Sequence, residues 1–250
     1  MKKHITFLLF LLIAVATSAQ TLNVVTDNVT YAFPASKIGE MTYKDGTTLT
    51  IGGKVFTLSD INKIYVDDSE VTDNEVAVTY NSTNATVTVA GNVAQYVTPT
   101  VSGAHVSIVQ SNTDDVDGNE ITYSLSGASS DGEFYMSGKY KCSIDLNGVS
   151  LTNKTPVYSG AALHIQNGKR VNASVKKGTE NTLIDCASPS DDLAQKAALY
   201  VKGHTEFKGK GTLKTGITVG SETIWSGMGA TSATGGTEAS ITTYNSGSSW

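Results

Sequence analysis

Residues 161–165 read Ala-Ala-Leu-His-Ile, and residues 197–201 repeat the pattern as Ala-Ala-Leu-Tyr-Val. Each copy opens a series of three short β-prone runs, at residues 161–165, 171–175 and 181–184 and again at 197–201, 205–207 and 211–214. Three short strands with Gly or Asn at the corners are typical of one coil of a parallel β-helix. A single coil cannot bury its apolar face, so coils stack and place Leu, Ile and Val above one another. A β-sandwich with a coincidental spacing is the alternative.

The rest of the chain after residue 20 also favours strands. Short alternating or β-branched runs are separated by Gly, Asn, Asp and Ser, and helical periodicity is almost absent. One run at residues 47–51 is followed by Gly52-Gly53 and by a second run at residues 54–58. Two runs joined by so tight a turn predict an antiparallel hairpin in the front section.

The amino terminus has the pattern of an export signal. Two lysines precede an apolar run from residue 5 to residue 16, and Thr17, Ser18 and Ala19 follow it. This order of charged, apolar and small residues predicts a signal peptide over residues 1–19. The run is shorter than the roughly 20 residues of a membrane helix. We therefore expect a protein that is secreted or held at the cell surface, with no membrane span in the mature chain.

Charge is distributed unevenly along the chain. The formal net charge of -5 argues against nucleic acid as a partner, because phosphate binding requires a basic surface. Between Ile64 and Gly138 there are eleven Asp and Glu and no Lys or Arg, whereas Lys139 to Lys214 contains twelve basic and six acidic residues. The basic section suits an anionic polymer, or its lysines protect exposed strand edges.

Four runs in the second half carry a resemblance to a known family: YSGAAL at residues 158–163, VKKGTENTLID at 175–185, ALYVKG at 198–203 and FKGKGTL at 207–213. They resemble a secreted bacterial family of carbohydrate-binding, cellulose- and pectin-binding parallel β-helix proteins, formerly a domain of unknown function. GTENTL at 178–183 with GKGTL at 209–213 is the most specific part. The resemblance covers about residues 120–215. It implies a right-handed parallel β-helix with bound calcium, a polysaccharide-binding role, and a fold related to pectate lyases.

The expected fold class is therefore all-β, a right-handed parallel β-helix preceded by a small antiparallel β-rich section. The expected parts are a signal peptide at residues 1–19, a β-rich section at 20–110, a carbohydrate-binding β-helix at 111–215 and a tail at 216–250. Family members usually continue with more coils, so the stack is expected to be truncated. The tail holds seven Gly, seven Ser and seven Thr and no Lys or Arg, which predicts a loosely ordered segment.

Sugar binding requires flat aromatic rings and convergent polar groups. The candidate stacking residues in the repeat section are Tyr140, Tyr158 and Tyr200. His164 and Tyr200 occupy matching repeat positions between apolar neighbours, so both are expected to point outward. If the coils stack in register, the two side chains lie about 4.8 Å apart. The candidates for pairing with uronate carboxylates are Lys202, Lys208 and Lys210.

Calcium requires about six to eight oxygen ligands. Asp185, Asp191 and Asp192 flank a corner of the predicted stack, and corner carboxylates of successive coils in a β-helix can converge on one ion. Together with the calcium that the resemblance implies, this makes them the candidate ligands. The acidic run at residues 114–120 lacks the spacing of an EF-hand and is interpreted as a solvated turn. Cys142 and Cys186 form a disulfide in an exported protein or are two small buried hydrophobic residues.

The sequence contains no G-x-S-x-G, His-Glu-x-x-His or phosphate-loop motif. Arg170 is the only arginine, and nothing near it in sequence completes a lyase site. We therefore expect a non-catalytic protein that binds cellulose-like or pectin-like polysaccharide, with calcium as the cofactor. The alternatives are a β-helix lyase that acts on acidic polysaccharide and a structural surface adhesin.

Overall fold

The computed structural model describes residues 20–185, 197–202, 204–219, 222–233 and 236–243. The predicted signal peptide at residues 1–19 lies outside these ranges. Within them the chain consists of strands, turns and the short 3-10 helices Ala35–Lys37, Leu58–Asp60 and Gly91–Val93, with no α-helix. The predicted all-β class is confirmed for the described residues. None of these residues belongs to a helix long and apolar enough to cross a membrane.

The described ranges contain 21 strands. Those before residue 111 are β1 (Thr21–Thr26), β2 (Val29–Pro34), β3 (Met41–Lys44), β4 (Thr48–Ile51), β5 (Lys54–Thr57), β6 (Lys63–Asp67), β7 (Glu75–Asn81), β8 (Asn84–Ala90), β9 (Val97–Ser102) and β10 (His105–Gln110). Those after it are β11 (Ile121–Ser129), β12 (Glu133–Gly138), β13 (Cys142–Thr152), β14 (Leu163–Asn167), β15 (Val171–Val175), β16 (Glu180–Ile184), β17 (Leu199–Val201), β18 (Thr205–Gly209), β19 (Thr212–Val219), β20 (Glu222–Ala233) and β21 (Gly236–Thr243).

The described residues form two compact units. Residues 20–75 and 88–95 belong to the first unit, and residues 76–87 together with those from 96 onward belong to the second. Residues 76–87 and 96–110, which were predicted to belong to the front section, belong to the second unit. The reason is strand pairing, because β10 is a parallel neighbour of β12 and β9 is an antiparallel neighbour of β10.

The first unit contains two antiparallel sheets. In one sheet β1 pairs with β2 and β6, and in the other β4 pairs with β3 and β5. The pairing of β4 with β5 confirms the hairpin predicted around Gly52-Gly53. Buried rings join the two sheets, since the Phe56 ring centroid lies 5.1 Å from that of Tyr31 and 6.3 Å from that of Phe33.

In the second unit, strands that are distant in sequence pair in parallel. One parallel series is β10, β12, β14 and β17, and a second is β11, β13, β15 and β18. The carboxyl-terminal part of β13 begins a third series with β16 and β19. The pairing predicted for residues 161–165 and 197–201 is confirmed, because β14 and β17 are adjacent parallel strands with Leu163 opposite Leu199.

Alternation along each strand decides which residues fill the core of the second unit. The first five residues are Ile-Thr-Tyr-Ser-Leu in β11, Cys-Ser-Ile-Asp-Leu in β13 and Val-Asn-Ala-Ser-Val in β15, and the first, third and fifth are buried in each. Alternate side chains of a strand point to the same face. Because the strands pair in register, the buried residues stack in the rows Ile121–Cys142–Val171, Tyr123–Ile144–Ala173 and Leu125–Leu146–Val175.

For the described part of residues 216–243, the structure differs from the loosely ordered tail that was expected. β19 pairs in parallel with β16, β20 pairs antiparallel with β19, and β21 pairs antiparallel with β20. A ladder of backbone hydrogen bonds does not depend on apolar periodicity, and the abundant Thr favours strands. The small-residue composition therefore does not reveal these strands.

Two glycines of the second unit provide a matched test of a close backbone approach. Gly127 and Gly148 have φ angles of 80° and 79°, but a Cβ atom on Gly127 would lie 2.1 Å from the Tyr80 carbonyl oxygen, whereas one on Gly148 would have no neighbour within 4 Å. We expect Gly148→Ala to lower the free energy of unfolding by about 1–2 kcal/mol, the cost of left-handed backbone. Gly127→Ala should lower the free energy of unfolding by clearly more, because the added Cβ also clashes with the Tyr80 carbonyl oxygen. Urea unfolding of both variants tests this, and equal losses would contradict it.

Candidate functional site

Three ring side chains line up across β12, β14 and β17. The strand register places Tyr135 opposite His164 and His164 opposite Tyr200. The ring centroids of Tyr135 and His164 are 4.8 Å apart, and those of His164 and Tyr200 are 4.6 Å apart. These distances match the spacing of neighbouring strands. We refer to these three side chains as the aromatic row.

The aromatic row lies on the outer face of its sheet. The residues that flank it along β12 and β14 point inward and have no exposed surface: Phe134, Met136, Leu163 and Ile165. Tyr135 and Tyr200 are partly exposed, so parts of their rings face solvent. Ser137 and Gln166 follow two residues after Tyr135 and His164 and are also partly exposed. The outer face therefore combines aromatic rings with neighbouring polar groups.

His164 lies on the outer face of its sheet, where it was expected to point, but its neighbours bury it there. Only 5% of its surface is exposed, because Tyr135 and Tyr200 cover it from both sides in edge-to-face arrangements with interplanar angles of 76° and 65°. Both ring nitrogens also have polar neighbours. Ser159 Oγ lies 2.7 Å from Nδ1, and Gln166 Oε1 lies 2.9 Å from Nε2. His164 therefore spaces the two tyrosines and presents little of its own ring.

The hydrogen-bond network assigns the tautomer of His164. Gln166 Oε1 is an acceptor, so Nε2 carries the ring hydrogen and donates it. Nδ1 of the neutral ring is then an acceptor, so the Ser159 hydroxyl donates to it while its oxygen accepts from the Ala161 backbone N–H at 3.1 Å. Burial lowers the pKa of His164 below the ordinary value of 6.5, against the opposing effects of the Gln166 hydrogen bond and the Glu133 charge. The ring is therefore neutral near pH 7.

Acidification is expected to destabilise the second unit through His164. Because its pKa is lower in the folded protein than the ordinary 6.5, the unfolded chain takes up the proton first as the pH falls. The stability that neutral His164 confers is complete above the ordinary value and is lost as the pH falls below it. We expect His164→Gln to flatten the decline in melting temperature between about pH 7 and pH 5. The exposed His204→Gln is the control, and identical pH profiles for wild type and His164→Gln would refute the expectation.

A fully buried carboxylate holds loop 153–159, which leads towards β14. Glu133, at the start of β12, has no exposed surface. Its oxygens accept backbone hydrogen bonds of 2.6 to 2.8 Å from Val157, Tyr158 and Ser159, and side-chain hydrogen bonds of 3.2 and 3.0 Å from Asn153 and His105. Hydrogen bonds to a charged acceptor are stronger than those between neutral groups. Glu133 therefore fastens the loop to β12.

Asp131 holds the beginning of the same loop. It accepts hydrogen bonds from the backbone N–H groups of Lys154 and Thr155 at 3.0 and 2.9 Å and from the Thr155 hydroxyl. Burial acts to raise the pKa of Asp131, but the hydrogen bonds from Thr155 and Lys154 outweigh it and the pKa lies below 3.8. Two carboxylates that are close in sequence thus bind successive parts of one loop.

The structure distributes the three predicted lysines over different sheets. Lys202 follows β17, and its backbone N–H donates to the Ile165 carbonyl oxygen at 2.9 Å, so it lies on the sheet of the aromatic row. Lys208 lies in β18, which belongs to another sheet, and Lys210 lies in the turn after β18. All three are exposed, and Lys202 follows a strand of a different sheet from the one that contains Lys208.

The two remaining candidate tyrosines have different surroundings. Tyr158 is partly exposed in loop 153–159, and the next residue, Ser159, contacts His164. Tyr140 lies in the turn between β12 and β13, where its carbonyl oxygen accepts a hydrogen bond from Asn167 at 2.8 Å. Tyr158 is therefore next in sequence to a residue that contacts the aromatic row, and Tyr140 lies at a corner.

One of the three candidate calcium ligands lies in the described part of the chain. Asp185 is buried at the end of β16, where its backbone N–H donates to the Gly216 carbonyl oxygen at 3.2 Å. Asp191 and Asp192 lie outside the described residues, and so does Cys186, so the ion and the disulfide with Cys142 stay predictions. Among the residues that the structure describes, no group of three or more His, Cys, Asp or Glu side chains is placed to hold a metal ion.

The acidic run at residues 114–120 forms a turn. Val116 and Asn119 exchange backbone hydrogen bonds of 2.9 and 3.0 Å. Near this turn Glu120 pairs with Arg170 and, at 3.4 Å, with Lys141. Arg170 is thus engaged in an ion pair at the surface.

Two important residues were missed by the sequence analysis. Tyr135 precedes His164 by 29 residues, whereas Tyr200 follows it by 36, so no constant repeat identifies it. Its alternation with buried Phe134 and Met136 is a signal that indicates an outward-facing ring. Glu133 sits next to an apolar run and carries no motif.

Comparison with known proteins gave a match to a family model and a similarity to a solved structure. The model of the carbohydrate-binding domain-containing protein family matches residues 102–227. A polysaccharide lyase-like protein from C. thermocellum, solved as a gadolinium derivative, is similar with a TM-score of 0.41 and 19% sequence identity. The similarity covers 56% of this chain and 51% of that one, so the chain spans about half the length of that structure. No significant match was found among curated proteins.

Proposed function

The chain belongs to the carbohydrate-binding domain-containing family, and we propose that it is a non-catalytic polysaccharide-binding protein whose ligand contacts the aromatic row. The observation that carries the proposal is the partly exposed pair Tyr135 and Tyr200, held one strand to each side of His164. The apolar faces of sugar rings pack on aromatic rings, and nearby polar groups such as Gln166 bond to sugar hydroxyls.

We propose further that the parallel strands of the second unit are coils of a right-handed parallel β-helix. The three parallel series support this, because the chain returns to each series after passing through the others. Crossover connections between parallel strands of one sheet are right-handed in about 98% of cases. Such a stack presents long, flat outer faces, which suit an extended polymer.

The proposed ligand is a cellulose-like or pectin-like polysaccharide, and the proposed location is secreted or at the cell surface, reached through the signal peptide at residues 1–19. Calcium is proposed to assist through Asp185, Asp191 and Asp192. Asp185 supports this part as a buried residue that directly follows a strand, since carboxylate oxygens are ligands that calcium prefers.

Retention on insoluble polysaccharide tests the proposal. The purified protein is incubated with insoluble cellulose and, separately, with insoluble pectin, each with and without a chelator. We expect retention on at least one of them, and retention unaffected by the chelator would remove calcium from the proposal. Retention on neither material would overturn the binding function. Appearance of unsaturated products from polygalacturonate, followed by ultraviolet absorbance, would instead identify a lyase.

A further inference from the structure

We propose that Glu133 is a positioning residue for the aromatic row, acting through loop 153–159 and Ser159 to fix the ring of His164. This inference rests on the proposed function, because it assigns a control element to that same site. Glu133 has no exposed surface, so it acts on a ligand only through the groups that it holds.

The path from Glu133 to the aromatic row consists of two consecutive hydrogen bonds at one residue. The Ser159 backbone N–H donates to Glu133 Oε2 at 2.8 Å, and the Ser159 hydroxyl lies 2.7 Å from His164 Nδ1. Ser159 is itself only 2% exposed, so water does not compete readily for either bond. Its position therefore follows that of Glu133.

A carboxylate is suited to this role because both of its oxygens accept. Oε1 accepts from the Val157 and Tyr158 N–H groups and faces His105 Nδ1, while Oε2 accepts from the Ser159 N–H and from Asn153 Nδ2. A glutamine has nearly the same shape, but its NH2 group is a donor. Whichever way the amide turns, it faces at least two donors of the loop with no acceptor.

Loss of these acceptors is expected to release the loop and, with it, the Nδ1 side of the His164 ring. With Ser159 displaced, Nδ1 loses the hydroxyl that donates to it, and the hydrogen bond from Nε2 to Gln166 is left to hold the ring. Tyr135 and Tyr200 pack against the edges and faces of His164, so their spacing becomes less well defined. A ligand that contacts both tyrosines then meets a surface that is not preorganised.

Glu133→Gln is the direct test, with the exposed Glu180→Gln as the matched control. Two properties are measured: retention on the insoluble polysaccharide that the wild type binds, and the imidazole nitrogen signals of His164 in long-range proton–nitrogen NMR spectra. We expect Glu133→Gln to weaken binding about tenfold, because the surface must then be ordered on binding. We also expect the His164 Nδ1 signal to shift, because Nδ1 no longer accepts a hydrogen bond from Ser159. Glu180→Gln should leave both unchanged.

Ser159→Ala keeps the test decisive if Glu133→Gln does not fold. This variant retains the backbone hydrogen bond to Glu133 and removes only the hydroxyl next to His164. We expect it to shift the His164 Nδ1 signal and weaken binding while the loop stays in place. A folded Glu133→Gln or Ser159→Ala protein with a wild-type Nδ1 signal and wild-type retention would overturn the positioning role. If the wild type binds no polysaccharide, the proposed function fails, while the NMR pattern still tests the control of His164 by Glu133.

Discussion

Replacing Tyr135 and Tyr200 together by alanine is expected to weaken polysaccharide binding about 100-fold. Both rings are partly exposed and lie on either side of His164 in the aromatic row. Truncation of an aromatic anchor in a binding surface costs about 1–2 kcal/mol or more, and about 1.4 kcal/mol corresponds to a factor of ten. Each single variant should therefore lose about tenfold. Depletion of the protein from solution by increasing amounts of insoluble polysaccharide measures the affinity.

A tyrosine outside the second unit provides the control for this experiment. Tyr43 in β3 is 48% exposed and belongs to the first unit, so Tyr43→Ala should retain wild-type affinity. Circular dichroism establishes that each variant keeps its strand content. If Tyr43→Ala loses as much affinity as the double variant, or if the double variant binds as the wild type does, the aromatic row is not the ligand surface.

Glu133→Ala is expected to lower the free energy of unfolding of the second unit by about 3–5 kcal/mol, the usual cost of removing one partner from a buried charged network. The variant leaves the N–H groups of Val157, Tyr158 and Ser159 without their buried acceptor. Each unsatisfied buried donor carries a desolvation penalty. The loss should therefore exceed that of an ordinary surface substitution several-fold.

Hydrogen exchange of the backbone amides in β12 and β14 measures this loss within the second unit. The control is Glu180→Ala, because Glu180 is exposed at the start of β16, and its effect should stay within about 0.5 kcal/mol. Equal protection of β12 and β14 in wild type and Glu133→Ala would show that loop 153–159 does not depend on the carboxylate.

Local alternation allowed much of the second unit to be predicted. The runs at residues 161–165 and 197–201 have the same order of apolar and polar residues, and the structure places them in adjacent parallel strands in that register. The expected contact of His164 with Tyr200 follows directly from this pairing. Composition was a poorer guide in the tail, where β20 and β21 form without an apolar repeat.

The candidate site was predicted only in part, because the strands that carry the aromatic row are separated by segments of different length. Tyr135 was missed since it lies 29 residues before His164, while Tyr200 lies 36 residues after it. Lys208 was grouped with Lys202 because the two are close in sequence, yet they belong to different sheets. A turn between two strands changes the direction of the chain. Residues that are close in sequence but separated by such a turn can therefore lie on different sheets.

The order of residues along each strand already specifies an all-β chain and decides which side chains face inward, because this depends only on a period of two. It also specifies the pairing of the two Ala-Ala-Leu segments. The burial of His164 and the role of Glu133 arise from contacts across the fold. Tyr135 and Tyr200 cover one ring from neighbouring strands, and loop 153–159 folds back over a carboxylate 20 or more residues earlier. Such contacts form only after long-range strand pairing has set the register of the strands and loop 153–159 has closed over Glu133.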